Sequence, residues 1–124
     1  MPKFSVRSKT NLSQCHIDLQ TFCNHLIQFV DISIICGHRG KEAQNKAFDD
    51  GFSKVRWPNS RHNKTPSEAV DIAKYPIDWK DEKGFRDLRK FALNEAEKLY
   101  RDGKITHRIE VISWDLPHYQ LKIN

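Results

Sequence analysis

Between Asp81 and Arg101 the apolar residues Phe85, Leu88, Ala92, Ala96 and Leu99 recur at three- and four-residue steps, and Gly103 follows shortly after. That period belongs to an α-helix with one buried stripe and a glycine stop, and a stripe of such length must be covered by another layer of the fold. A second stripe, Leu19, Phe22, Cys23, Leu26, Ile27 and Val30, predicts a core helix over Ile17–Val30, with a short helix capped by Ser8 before it. Lys41–Asp50, rich in helix formers and closed by Gly51, predicts a third helix.

Strand signals lie between these helices. Ile32–Cys36 is a β-branched run that stops at Gly37, which places His38 and Arg39 at a strand exit. Ala69–Ala73 alternates: Val70 and Ile72 point to one face, and Asp71 lies on the other with only alanines beside it. Ile105–Ser113 and His118–Ile123 read as two further strands, the second opened by Pro117, with Tyr119, Leu121 and Ile123 toward the core and His118 and Gln120 away from it. From Phe52 to Ser67 the chain is full of turn formers and predicts a long surface loop, a place where function concentrates. Helices and strands are interspersed without a βαβ rhythm, so the expected class is α+β.

At 124 residues the chain fits one domain, 1–124, with a single core. Its 38% hydrophobic and 30% charged residues exclude a disordered or membrane-embedded protein, and no apolar run approaches the roughly 20 residues of a transmembrane helix. The N-terminal residues have no apolar stretch of the secretory kind, so synthesis and retention in a cytoplasm are expected. Three cysteines without a C-x-x-C pair suggest neither a disulfide framework nor a thiolate zinc site, and Cys23 and Cys36 are expected to be buried thiols. A net charge of +5 favours an anionic partner without choosing among nucleic acid, lipid and wall polymer, although the cations are dispersed and form no nucleic-acid arm.

Of the six histidines, His16, His25, His38 and His107 have ordinary surroundings in sequence. His62 and His118 differ, since each has a carboxylate placed to work with it: Asp71 nine positions after His62, and Asp115 three positions before His118. Zinc takes histidine nitrogen and aspartate oxygen, and a catalytic zinc keeps a position for water. A carboxylate outside the ligand set could then move the proton. Spacing alone leaves this open against a plain turn role for Asp115 beside Pro117.

Ser60-Arg-His-Asn-Lys-Thr-Pro-Ser-Glu-Ala-Val-Asp71, together with Asp115-Leu-Pro-His-Tyr-Gln-Leu121, resembles the signature of the zinc D-alanyl-D-alanine carboxypeptidase and L-alanyl-D-glutamate endopeptidase family, which includes phage endolysins. Gly37-His-Arg-Gly40 and Gln44 are similar to that family's Gly-x-Arg turn and nearby glutamine. The resemblance implies a Hedgehog/D-Ala-D-Ala-peptidase-like fold, with a small antiparallel sheet flanked by helices. It implies Zn2+ held by His62, Asp71 and His118, Asp115 as general base and acid, Arg39 on the scissile carbonyl or its oxyanion, and Ser60 and Gln44 as substrate-binding or site-shaping residues.

The implied function is a monomeric endolysin that waits in the host cytoplasm for the membrane to be breached and then cuts peptidoglycan stem peptides at L-alanyl-D-glutamate. A D-alanyl-D-alanine carboxypeptidase is the enzymatic alternative. A basic nucleic-acid-binding module with Trp57, Trp79 and Trp114 as stacking platforms is the rival from another class. Two departures stand out: the His62–Asp71 spacing is nine where seven is usual, and Arg108–Asp115 replaces a longer loop, which predicts a lower cleft wall there.

Overall fold

The computed structural model describes residues 2–123 and places the elements in the order α1 (Val6–Ser13), α2 (Ile17–Leu26), β1 (Ile32–Cys36), α3 (Lys41–Asp49), a 3₁₀ turn (Arg61–Asn63), β2 (Ala69–Lys74), α4 (Glu82–Arg101), β3 (Ile109–Val111) and β4 (His118–Leu121). The strands form one antiparallel sheet in the order β1-β2-β4-β3, the α+β arrangement expected.

Asp81 caps α4, accepting a hydrogen bond from the Gly84 amide at 2.9 Å, and the Phe85–Leu99 stripe is buried along the helix. That stripe packs on β2 and on α2, whose Leu19, Phe22, Cys23 and Leu26 are fully buried. The Phe22 ring lies 5.8 Å from the Tyr119 ring of β4. Burying a large side chain in such a core stabilises by roughly 1.5–3 kcal/mol, so Tyr119 and Leu121 hold the inward face of β4. Because strand side chains alternate, the same packing forces His118 and Gln120 to the opposite face.

Several boundaries differ from the sequence reading. Ser5, not Ser8, caps α1; Ser8 is buried and its hydroxyl accepts the Ile34 amide at 2.9 Å, tying α1 to β1. Helix α2 stops at Leu26, and Phe29 and Val30 close the end through bonds to the Leu26 carbonyl, which leaves Phe29 exposed. Strand β3 is far shorter than Ile105–Ser113. At its start the amides of Thr106 and His107 donate to the Asp18 carboxylate, and at its end the Ile112 carbonyl accepts from Arg89, so these groups are withdrawn from the ladder. Ile123 lies past the last pair, Ile109–Leu121, and is exposed instead of facing the core. Cys36 is half-buried, because it lies on the sheet face that carries the polar cluster; Cys15 and Cys23 are the buried thiols.

Candidate metal and catalytic site

On the polar face of the sheet, Asp71 of β2 pairs in register with His118 of β4 on one side and Cys36 of β1 on the other. The 3₁₀ turn lies over this row. It is held by a capping box in which the Ser60 hydroxyl accepts the His62 amide at 3.2 Å and the Ser60 amide donates to Asn63 Oδ1 at 2.9 Å. The Arg39 amide donates to the His62 carbonyl and Asn63 Nδ2 to the Arg39 carbonyl, both at 2.8 Å, which stitches the turn to the exit of β1. His62 is thereby carried 2% exposed onto the row.

Hydrogen bonding sets the tautomer of both imidazoles. His62 Nδ1 lies 2.7 Å from the Gly37 carbonyl, which can only accept, so Nδ1 carries the proton and Nε2 a lone pair. Gln120 Nε2 donates to Glu110 Oε2 at 2.7 Å, which turns Gln120 Oε1 toward His118 Nε2 at 2.9 Å and leaves the His118 lone pair on Nδ1. These two lone pairs and Asp71 Oδ1 converge: His62 Nε2 is 3.2 Å from Asp71 Oδ1 and 3.2 Å from His118 Nδ1, and His118 Nδ1 is 3.5 Å from Asp71 Oδ1.

Zinc bonds of about 2.0–2.1 Å in a tetrahedron set their ligand atoms roughly 3.3–3.4 Å apart, so the triangle has the dimensions of one tetrahedral face. The electrostatics agree. Burial alone would lower the His62 imidazole, but the Asp71 carboxylate overrides it and drives it up to about 10, so a proton takes the Nε2 lone pair wherever a cation does not. Burial would likewise raise Asp71, yet His62 and His118 hold it well below the usual carboxylate range. The cluster demands positive charge at its centre, and a cation engages all three lone pairs where a single proton engages fewer.

Asp115 lies beside the triad, its Oδ2 4.0 Å from His118 Nδ1, and burial followed by the charge of Asp71 pushes its carboxyl above the ordinary value. Arg89 of α4 holds the backbone that carries it, donating to the carbonyls of Ile112, Asp115 and Leu116 at 3.0, 2.8 and 2.9 Å. Arg39 Nη2 is 3.5 Å from Asp71 Oδ2, and its Nη1 donates to Gln44 Oε1 at 3.1 Å. Gln44 is 0% exposed, and its amide nitrogen donates to Ser53 Oγ and the Val55 carbonyl. Every polar atom of Gln44 is thus engaged within the protein, and its carbonyl oxygen orients Arg39. Ser60 lines the cleft, but its hydroxyl accepts the His62 amide.

The sequence reading gave no role to Gln120, Glu110, Arg89 or the carbonyl of Gly37. Gln120 had a usable signal, since it shares a strand face with His118 two positions away. Nothing in the sequence points to the Gly37 carbonyl, where a side chain would fall 2.1 Å from the Asn11 carbonyl oxygen, so only glycine allows the approach. Three of the four remaining histidines do structural work: His16 caps α2, His25 pairs with Glu95 at 3.0 Å, and His107 donates to Asp18 at 2.8 Å; among the described residues His38 donates only through its backbone amide, to Gln14.

A histidine–aspartate cluster able to hold a cation, with a further carboxylate beside it at the floor of a cleft, is an arrangement suited to hydrolysis. A family model described as phage L-alanyl-D-glutamate peptidase matches residues 1–121, and the chain belongs to that family. No curated protein sequence matches it. Among solved structures it is similar to the Serratia marcescens L-Ala D-Glu endopeptidase ChiX, with TM-score 0.74, 22% identity, and coverage of 97% of this chain and 90% of that one, a likeness of fold.

Proposed function

We propose that this peptidoglycan peptidase cleaves the L-alanyl-D-glutamate bond of the stem peptide with zinc held by His62, Asp71 and His118, and that residues 1–124 act as one catalytic unit, as a monomer. The observation that carries the reading is the convergence of two tautomer-fixed imidazole lone pairs and one carboxylate oxygen at 3.2–3.5 Å. Zinc there supplies Lewis acidity and brings the pKa of water toward about 7.

Asp115, next to the triad and raised by burial, accepts the proton of the attacking water and returns it to the departing amine. Arg39, fixed by Gln44 and facing the cleft, donates to the oxyanion that develops on the scissile carbonyl. The oxyanion meets a guanidinium already oriented, so little reorganisation is needed as charge builds. Ser60 keeps the 3₁₀ turn closed under His62. The protein acts on the cell wall, which we take it to reach from the host cytoplasm once the membrane is breached.

Metal analysis of purified protein, paired with mass spectrometry of digested muropeptides with and without chelator, tests this. Asp115→Ala should keep the metal and lose cleavage, and His118→Ala should lose both. An Asp115→Ala protein that still cleaves would remove its assigned role. Release of free D-alanine instead of L-alanyl-D-glutamate cleavage would point to a carboxypeptidase.

A further inference from the structure

The cleft at the site has two lobes that share Arg39, Phe52, Trp114 and Asp115. One encloses about 200 Å³ and is bordered by Asn59, Ser60 and Arg61; the other encloses about 820 Å³ and runs out past Trp79 and Trp114. Only the larger reaches the roughly 300–1,000 Å³ of a typical ligand site.

The larger lobe has an unusual wall. Trp79 is 59% exposed, yet Phe85 stacks behind it with ring centroids 5.8 Å apart and planes at 15°, so one indole face is backed and the other is open. Trp114 is 43% exposed and Phe52 77% exposed on the same lobe. Around them Glu82, Arg86 and Ser113 supply hydrogen-bonding groups. Open aromatic faces rimmed by polar groups suit a pyranose, whose C–H faces pack on the ring while its hydroxyl and acetamido groups meet the rim.

The substrate chemistry selects this lobe. In a stem peptide the L-alanine on the acyl side of the scissile bond is joined through a lactyl group to an N-acetylated amino sugar, so a sugar must lie about one residue, roughly 3.5 Å of extended chain and a short linker, from the reacting carbonyl. Trp114 borders both lobes, with Lys54 Nζ 5.2 Å from its ring centroid, whereas Trp79 lines only the larger lobe, so that lobe is the one with an aromatic wall of its own. The D-glutamate side continues as peptide and needs no room for a ring, in keeping with the smaller lobe.

Resting on the peptidase reading above, we propose that the Trp79–Trp114 lobe is a sugar subsite for the glycan-linked amino sugar, and that the enzyme therefore prefers stem peptides still attached to glycan over free ones. The test measures kcat/KM on a disaccharide-linked stem peptide and on the same peptide with the sugar removed, for wild type, Trp79→Ala, Trp79→Tyr and, as control, Trp57→Ala, which lines neither lobe.

Wild type should favour the glycan-linked substrate. Trp79→Ala should lower that preference roughly three- to tenfold, the range one aromatic stacking face contributes, while Trp79→Tyr restores most of it and Trp57→Ala keeps the wild-type ratio. A wild-type ratio near one, or a Trp79→Ala loss equal on both substrates, overturns the subsite. Wild-type cleavage of neither substrate refutes the peptidase reading itself, and the subsite with it.

Discussion

Replacing Gln120 by leucine tests the ligand geometry without touching a proposed ligand. Gln120 accepts from His118 Nε2 at 2.9 Å and donates to Glu110 at 2.7 Å, so its amide alone keeps the His118 proton off the nitrogen that faces Asp71. Leucine fits the same half-buried strand position, and the backbone pairing of residue 120 with Ala69 and Glu110 persists. What disappears is the acceptor, so the imidazole can rotate or place its proton on Nδ1, inside the triad. Partners of this kind contribute about 10- to 100-fold in metal affinity, or about 1.4–2.7 kcal/mol. Glu110 is partly open to water and recovers hydration when released, which favours the lower half of that range. Competition against a chromogenic zinc chelator reads the affinity, and urea unfolding of metal-free protein should shift by less than about 1 kcal/mol. A Gln120→Leu protein that binds zinc within twofold of wild type at unchanged metal-free stability would refute the argument.

Arg89→Met removes three hydrogen bonds to the carbonyls around Asp115; it should cost about 2–3 kcal/mol in urea unfolding and reduce kcat while zinc content, read by metal analysis, stays at wild type. Asp18→Asn weakens the clamp in which one carboxylate oxygen accepts from the amides of Thr106 and His107, the Thr106 hydroxyl and His107 Nδ1. Burial works against the charged form of Asp18, but the bonds from His107 and Thr106 outweigh it and hold the carboxyl below its ordinary 3.8. A lowered folded-state pKa means stabilisation present at neutral pH and lost as pH falls from about 4 toward the folded value. The Tm difference between wild type and Asp18→Asn should therefore shrink over that acid window, and a difference independent of pH would contradict it. Phe22→Ala, in a fully buried site against Tyr119, should destabilise by about 3–5 kcal/mol in urea or thermal unfolding.

The long helix and the short strands were legible from residue order alone because their signals are local periods: one stripe at 3.6 residues over Phe85–Leu99, one alternation at two residues over Ala69–Ala73. The alternation also marked Asp71 and His118 as residues turned away from the core, while the triad itself was what the family resemblance implied. Boundaries were legible only where a local stop existed, such as Gly37. Strand β3 was misjudged because its limits are set by distant partners, Asp18 and Arg89, and the cap of α1 because Ser8, expected there, is taken up by the Ile34 amide while Ser5 does the capping.

Residue order therefore determined which side chains are the candidates for the chemistry and which face of which element they occupy, since both follow from side-chain type and backbone period. Tertiary structure alone decided how they meet. The tautomers of His62 and His118 depend on a glycine carbonyl 25 residues away in the chain and on a glutamine anchored by the neighbouring strand, and the orientation of Arg39 depends on a buried amide. Such contacts are unreadable in one dimension because a hydrogen bond is fixed by distance and direction in space, and only the packed sheet supplies both.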